Sequence, residues 1–153
     1  MAIFFFIAFV GGCAGSTSCG IKIFRFQVLF ASVRQHINRI IYPNGVFVPL
    51  YNKKPLPDHV SASVLGFLFL FIVTFAALTI ALSYTGLDNL TSFSAAASAI
   101  ANVGPGLGEI VGPSGNYQSL PDSAKWIMSI GMLLGRLELL TVLVMFNPGF
   151  WQK

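Results

Sequence analysis

Residues 60–84, VSASVLGFLFLFIVTFAALTIALSY, run for 25 positions without a charged side chain. At 1.5 Å per residue a helix there is about 37 Å long, enough to cross a bilayer with tilt. In water, such a helix must be enclosed by apolar partners on every side. The chain has 153 residues, of which 55% are hydrophobic and 9% charged, so it lacks the polar surface to shield that enclosure from water. A soluble all-helical domain is set aside on this ground, and the run is read as a membrane span.

A second apolar run, residues 123–146, SAKWIMSIGMLLGRLELLTVLVMF, is 24 residues long and is also read as a span. It carries Lys125 near one end and Arg136 and Glu138 inside. Between the runs lies TGLDNLTSFSAAASAIANVGPGLGEIVGPSGNYQSLPD. Asp88 or Thr91 is placed to cap a short helix over about 90–101. That helix is roughly 18 Å long, too short to span. Gly, Pro and Asn then take over. A short helix and a glycine loop between two spans is the pattern of a re-entrant loop. Such backbone is tolerated at membrane depth only where protein buries it or it lines a watery cavity.

The N-terminal third repeats the pattern. AIFFFIAFV is a short apolar helix, GGCAGSTSCG a loop, and IKIFRFQVLFASVRQHINRIIYP a helix of mixed character. Ala8–Gly15 aligns with Ala97–Gly104, 89 residues later, with thin identity but the same architecture. The chain divides into an end of one repeat (1–42), a polar linker rich in Pro and Asn (43–59) and a complete helix–loop–helix repeat (60–153). The start MAIFFFIAF lacks the basic segment of a signal peptide and reads as the interior of a longer protein. Arg34, Arg39, Lys53 and Lys54 cluster between the first long helix and the 60–84 span, while Asp88, Glu109, Asp122 and Lys125 lie on the other side. The basic excess marks the cytoplasmic side, so both loops open outward and the C-terminus lies inside. Phe150 and Trp151 are suited to the interface.

Several chemistries are weighed and rejected. The net charge of +4 comes from nine Lys/Arg and five Asp/Glu, too few for a nucleic-acid binder. Cys13 and Cys19 have no histidine cluster beside them and make no zinc site; the apolar setting favours free, buried thiols over a disulfide. Gly15–Gly20 followed by Ile21 and Lys22 displaces the lysine of a nucleotide-binding loop and omits its Ser/Thr. No nucleophile–base pair is visible, so an enzyme is not expected. His36 and His59 lack a partner at ligand spacing and read as interface or loop residues. Gly131 and Gly135 form a G-x-x-x-G pair inside a span, read as a close-packing surface.

The two loops carry the chemistry. Glycine permits backbone conformations closed to other residues, and a loop of such residues can turn carbonyl oxygens inward to replace a cation's hydration shell. The short helix before each loop ends with its partial negative charge there, which also favours a cation. Two loops do not close a ring, whereas four equivalent segments do.

GGCAGSTSCGIK, ANVGPGLGEIVGPSGNY and AKWIMSIGMLLGRLELLTVLVMFNPGFW together resemble the C-terminal part of Trk-type potassium-uptake membrane subunits of the Trk/Ktr/HKT superfamily. The resemblance covers nearly the whole chain, which amounts to about a third of a family member. It implies an all-α integral membrane protein of helix–re-entrant pore loop–helix repeats, with the chain holding the end of repeat three and all of repeat four. It implies a multi-pass protein of the bacterial inner membrane that passes potassium without covalent chemistry. Gly15 and Gly104 then take the filter glycine positions. Ala14, Gly15 and Ser16, with Cys13 and Thr17 beside them, and Asn102, Val103 and Gly104 would contribute potassium-binding carbonyls. The helix after the first loop is expected to break after Gly20, near Lys22, as a gate. Cys19 stands where family members often carry glycine.

The same resemblance places Arg136 below the filter as an electrostatic barrier or latch. Glu138, only two positions on, does not share its helix face and is expected to meet a neighbouring helix. Glu109 lies just outside the second loop, suited either to attracting cations or to a surface or capping role. The implied partners are the rest of the four-repeat subunit, a second copy in a homodimer, the lipid bilayer, and a cytoplasmic nucleotide-binding regulatory ring docking against residues 34–57. Two rivals stand beside this reading: a Na⁺- or H⁺-coupled secondary transporter with broken helices, and a non-conducting packing or regulatory membrane protein.

Overall fold

A computed structural model describes residues 11–12, 19–45, 50–51, 54–55, 57–108 and 110–137. Helix α1, Ile23–Ile41, starts three residues after Gly20, whose φ of +86° favours a residue without a Cβ. Arg25, Val28 and Ser32 are its buried residues, spaced so that they share one face. That face lies on helix α2, Asp58–Tyr84. The Arg25 guanidinium sits 3.6 Å from the Phe67 ring centroid, and the Ser32 and Ser61 hydroxyls are 2.8 Å apart.

Helix α2 buries a stripe of Val64, Phe67, Phe71, Leu78 and Leu82. Its other face carries Leu65, Phe69, Ile72, Val73 and Ile80, all exposed in this chain. A helix apolar on both its packed and its open face suits lipid, not water. Among the described residues, Val60–Tyr84 is the one helix long and apolar enough to cross a membrane. The helix closes with the Thr85 hydroxyl donating to Leu82 O at 2.6 Å, and Gly86 at φ +85° turns the chain.

Helix α3, Asn89–Ala101, begins where the Asp88 carboxylate accepts from Leu90 N at 3.3 Å. From Thr91 to Ala101 every residue but Phe93 is buried. Its alanines and serines let it sit between α2 and helix α4, Asp122–Arg136. Phe93 meets Phe75 of α2 edge-on, with centroids 5.1 Å apart. Leu78, Leu82, Ala95, Ala96, Ala99, Ile100, Ala124 and Met128 form the centre of the core. A 3₁₀ turn, Tyr117–Ser119, leads into α4.

Two features differ from the sequence expectation. The linker is not wholly irregular: strand β1 (Leu50–Tyr51) pairs antiparallel with β2 (Lys54–Pro55), in the register Leu50↔Pro55 and Tyr51↔Lys54. A short connection between adjacent segments favours that pairing, and it makes the chain helical with one small ladder. The second expected span runs to 146, whereas the described helix α4 ends at Arg136, with Leu137 at φ −83°, ψ 8°. The rest of that span, Glu138 included, lies outside the described residues.

Candidate functional site

The site is built where α3 ends. Asn102 adopts the left-handed conformation, φ 52°, ψ 41°, which Asn tolerates better than most residues with a Cβ. Its amide nitrogen Nδ2 donates to Met132 O of α4 at 2.9 Å. The N–H groups of Asn102 and Val103 return to Ala99 O and Ser98 O, both at 3.2 Å, and satisfy the helix end. Gly104 follows at φ +100°. Residues 102–105 are exposed, and the chain then dives to buried Gly106, whose N–H donates to Val111 O at 2.5 Å.

Side chains of α3 hold this loop from behind. Ser94 and Ser98 are four residues apart and so on one helix face. Ser94 Oγ donates to Leu107 O at 3.1 Å, and Ser98 Oγ to Gly104 O at 2.6 Å. The half-buried Tyr117 also donates its hydroxyl to Gly104 O. No described residue donates to the carbonyls of Asn102 or Val103. No charged side chain occurs between Asn89 and Gly108. Within this stretch the electrostatic contribution is therefore the C-terminal partial charge of α3.

Helix α4 backs the site. A Cβ on Gly131 would stand 2.9 Å from Leu78 Cδ1 and 3.4 Å from Ala99 Cβ; one on Gly135 would stand 2.1 Å from Ile100 O and 3.0 Å from Asn102 Nδ2. The G-x-x-x-G pair thus lets α4 approach the end of α3. The contacts run 131 with 99 and 135 with 100–102, so α3 and α4 run in the same sense. Asn102 consequently lies level with a point roughly 14–20 Å along α4 from Asp122, inside the helix layer.

Of the expected site residues, Asn102, Val103 and Gly104 are brought together, and Arg136 follows directly on Gly135 beside them. Arg136 is exposed in the last turn of α4, where a cation complements the helix dipole. Gly20 and Lys22 form a separate group at the start of α1. There Gly11 N donates to Ile21 O at 3.0 Å and Ile23 N to Gly12 O at 3.4 Å, which ties the two ends of the first loop together. A Cβ on Gly11 would lie 2.5 Å from Cys19 O. Ala14, Gly15 and Ser16, with Cys13 and Thr17, lie outside the described residues, as does Glu109.

Cys19 is free and half-buried, not fully buried as expected. It is also unstrained by its side chain, because Asn102 is the one non-glycine residue of positive φ among those described. Gly20 carries the conformation that a Cβ would resist.

Sequence reading missed four residues. Ser94 and Ser98 were legible as a four-residue spacing in FSAAASA. Tyr117 gave no signal, because its role arises only from folding the loop back. Arg25 was overlooked beside Arg34 and Arg39, although it alone falls on the buried face of α1.

Comparison with known proteins follows the same lines. The family model TrkH, described as a cation transport protein, matches residues 1–153. The chain is 54% identical over 150 residues to the Trk system potassium uptake protein TrkI of Halomonas elongata, covering 98% of this chain and 30% of that protein. It is 37% identical over 146 residues to the Trk system potassium uptake protein TrkH of Escherichia coli K12, covering 95% of this chain and 30% of that one. The crystal structure of the potassium transporter TrkH from Vibrio parahaemolyticus superposes with a TM-score of 0.86 at 34% identity, over 98% of this chain and 31% of that one. The chain therefore spans about three-tenths of the length of these relatives, close to the third expected from sequence.

Proposed function

From the fact that the chain belongs to the TrkH family of cation transport proteins, we propose that it forms part of a membrane subunit that takes up potassium through a central pore. The loop stretch 102–104 lines the conduction path, and residues 14–16 form its counterpart in the preceding repeat. Main-chain oxygens take the place of the ion's hydration shell. The names of the relatives support potassium as the cargo.

One observation carries the filter reading. An uncharged, exposed stretch turns through left-handed Asn102 and Gly104 at the end of a buried helix, packed beside Met132 and Gly135 within α4. Non-helical backbone between spanning helices is stable in a membrane only when buried by protein or facing a watery cavity. Residues 102–105 are open on this chain, and further repeats of the same kind would close around them. The arrangement of α3 and its loop between α2 and α4 supports a re-entrant pore loop. Arg136, at the inner side of this loop, acts as an electrostatic barrier, and the segment at Gly20 and Lys22 is where the first loop passes into its helix and gates.

The same reading includes a homodimer in the inner membrane and a nucleotide-binding regulatory ring on the cytoplasmic side, where Arg34 and Arg39 are exposed on α1. The decisive experiment is Gly104→Ser in the intact subunit. Nothing lies within 4 Å of a Cβ there, so the serine has room, but φ +100° strains it. Such strain is of order 1–3 kcal/mol. Potassium-over-sodium selectivity should relax by roughly tenfold, the equivalent of about 1.4 kcal/mol, while the protein still reaches the membrane. Unchanged selectivity would defeat the filter assignment.

A further inference from the structure

Arg25 is a cation that the filter does not use, and its placement is unfavourable on general grounds. It is buried in the first turn of α1, on the face that meets α2. The positive end of a helix dipole lies there, which disfavours a cation. Its partner Phe67 lies seven residues inside the span that begins at Val60, about 10 Å along it, and charge inside a span is expensive. Two rings receive the guanidinium, whose carbon stands 3.6 Å from the Phe67 centroid and 5.4 Å from that of Phe24. A desolvated cation over a ring face is strongly held. Ser32, seven residues further along α1, meets Ser61, six residues before Phe67. The two contacts set α1 antiparallel on α2 in a single register.

The link to the first loop is direct. Ile21 is buried and belongs to the same apolar core as Phe67. It lines a small apolar gap together with Arg25, Val64 and Phe67, and its carbonyl accepts from Gly11 N at 3.0 Å. Arg25 N donates to Lys22 O at 2.9 Å, so the residue that stacks on α2 also closes the first turn onto the Gly20–Lys22 segment. We infer that Arg25 is a positioning residue: stacked on Phe67, it anchors the Gly20–Lys22 segment against α2 and so sets how firmly that segment stands in the conduction path. The inference rests on the gating reading of this segment given above and names what holds it in place. Ser32 with Ser61 keeps the rest of α1 in register, so loss of the stack frees the head of the helix and not its length.

The test uses the intact subunit in membranes and compares Arg25→Met, Arg25→Lys, Phe67→Leu, the Arg25→Met/Phe67→Leu double variant and Gly20→Ala. Leu82→Val, buried near the far end of α2, controls for general destabilisation. Met keeps an unbranched stem and removes the charge, whereas Lys keeps a cation for the ring. Two quantities are read below the melting temperature. One is the rate at which a small methanethiosulfonate modifies Cys19, resolved by mass spectrometry; Cys19 is half-buried directly before Gly20. The other is basal potassium uptake normalised to protein in the membrane. Arg25→Met and Phe67→Leu should each raise the Cys19 rate about tenfold, the scale on which one desolvated cation–π contact shifts a local opening. Both should raise uptake at an unchanged potassium-to-sodium ratio. The double variant should exceed neither single, since both break one contact. Arg25→Lys should stay near the wild type, and Leu82→Val should lower the melting temperature without moving either quantity. A Cys19 rate at the wild-type level in Arg25→Met overturns the anchor. So does unchanged uptake there when Gly20→Ala alters uptake, and the gating reading then survives. If Cys19 becomes more reactive yet neither Arg25→Met nor Gly20→Ala alters uptake, the gating reading falls and the inference with it. Should Arg25→Met not accumulate, Phe67→Leu decides by the same two readouts.

Discussion

Replacing Gly135 by alanine adds one methyl group at the closest approach between α4 and the end of α3. Its Cβ would fall 2.1 Å from Ile100 O, 2.9 Å from Ile100 C and 3.0 Å from Asn102 Nδ2. Two of these three atoms are backbone, so no rotamer change relieves the overlap. Helix α4 must retreat by about 1 Å to restore ordinary contact, and overpacking of this kind costs about 1–3 kcal/mol. The retreat also stretches the Asn102 Nδ2–Met132 O bond, now 2.9 Å, at about 1 kcal/mol. Against this stands the better helix propensity of alanine, about 1 kcal/mol in its favour. The net effect is a destabilisation of about 1–3 kcal/mol, concentrated at the base of the candidate filter.

The assay is potassium uptake by cells lacking their own uptake systems, together with the thermal stability of the purified intact subunit in detergent. Gly135→Ala should lower both. Gly66→Ala, in α2 with nothing within 4 Å of the new Cβ, should leave both unchanged or raise stability slightly. Gly131→Ala meets the far end of the Leu78 side chain at 2.9 Å, which can rotate away, so its effect should fall between the two. A Gly135→Ala protein as stable and active as the wild type would refute the close approach of α4 to Ile100.

Two further outcomes follow from the same geometry. Asn102→Ala should destabilise the subunit by about 1–2 kcal/mol, through the lost bond to Met132 O and the left-handed backbone; Asn102→Gly, which relieves the backbone, should lose less in the same melting assay. Phe67→Leu should remove the ring beneath Arg25 and cost about 2 kcal/mol from cation–π and packing losses, read as a lower melting temperature with no change in ion selectivity.

The helical framework was legible because its signals are local. An uncharged run long enough to cross a bilayer fixes α2, and Asp88 before a Ser/Ala-rich stretch marks the start of α3. The glycine spacing at 131 and 135 named a contact surface without naming what it touches. Its partner, the Ile100 carbonyl, lies on a different helix, and only packing brings the two together. The ladder at Leu50–Pro55 was invisible for a related reason: two-residue strands have no periodicity to read.

The candidate site shows where such reading stops. Glycine-rich composition says that a backbone is free to turn, but not which oxygens end up engaged. Sequence alone made Asn102, Val103 and Gly104 equivalent contributors. Folding distinguishes them, because Ser98 precedes Gly104 by only six residues while Tyr117 reaches it only after the loop closes. A hydroxyl on a helix can be assigned to the loop that follows by its spacing. A hydroxyl returning from the far side of that loop cannot, since its reach depends on the whole path from Gly106 to Gly115. The same asymmetry explains Arg25. Three arginines lie along α1, and only the position of α2 decides that one stacks on Phe67 while Arg34 and Arg39 remain outside. Charge count orients a membrane helix, but the burial of a particular charge is a property of its neighbour.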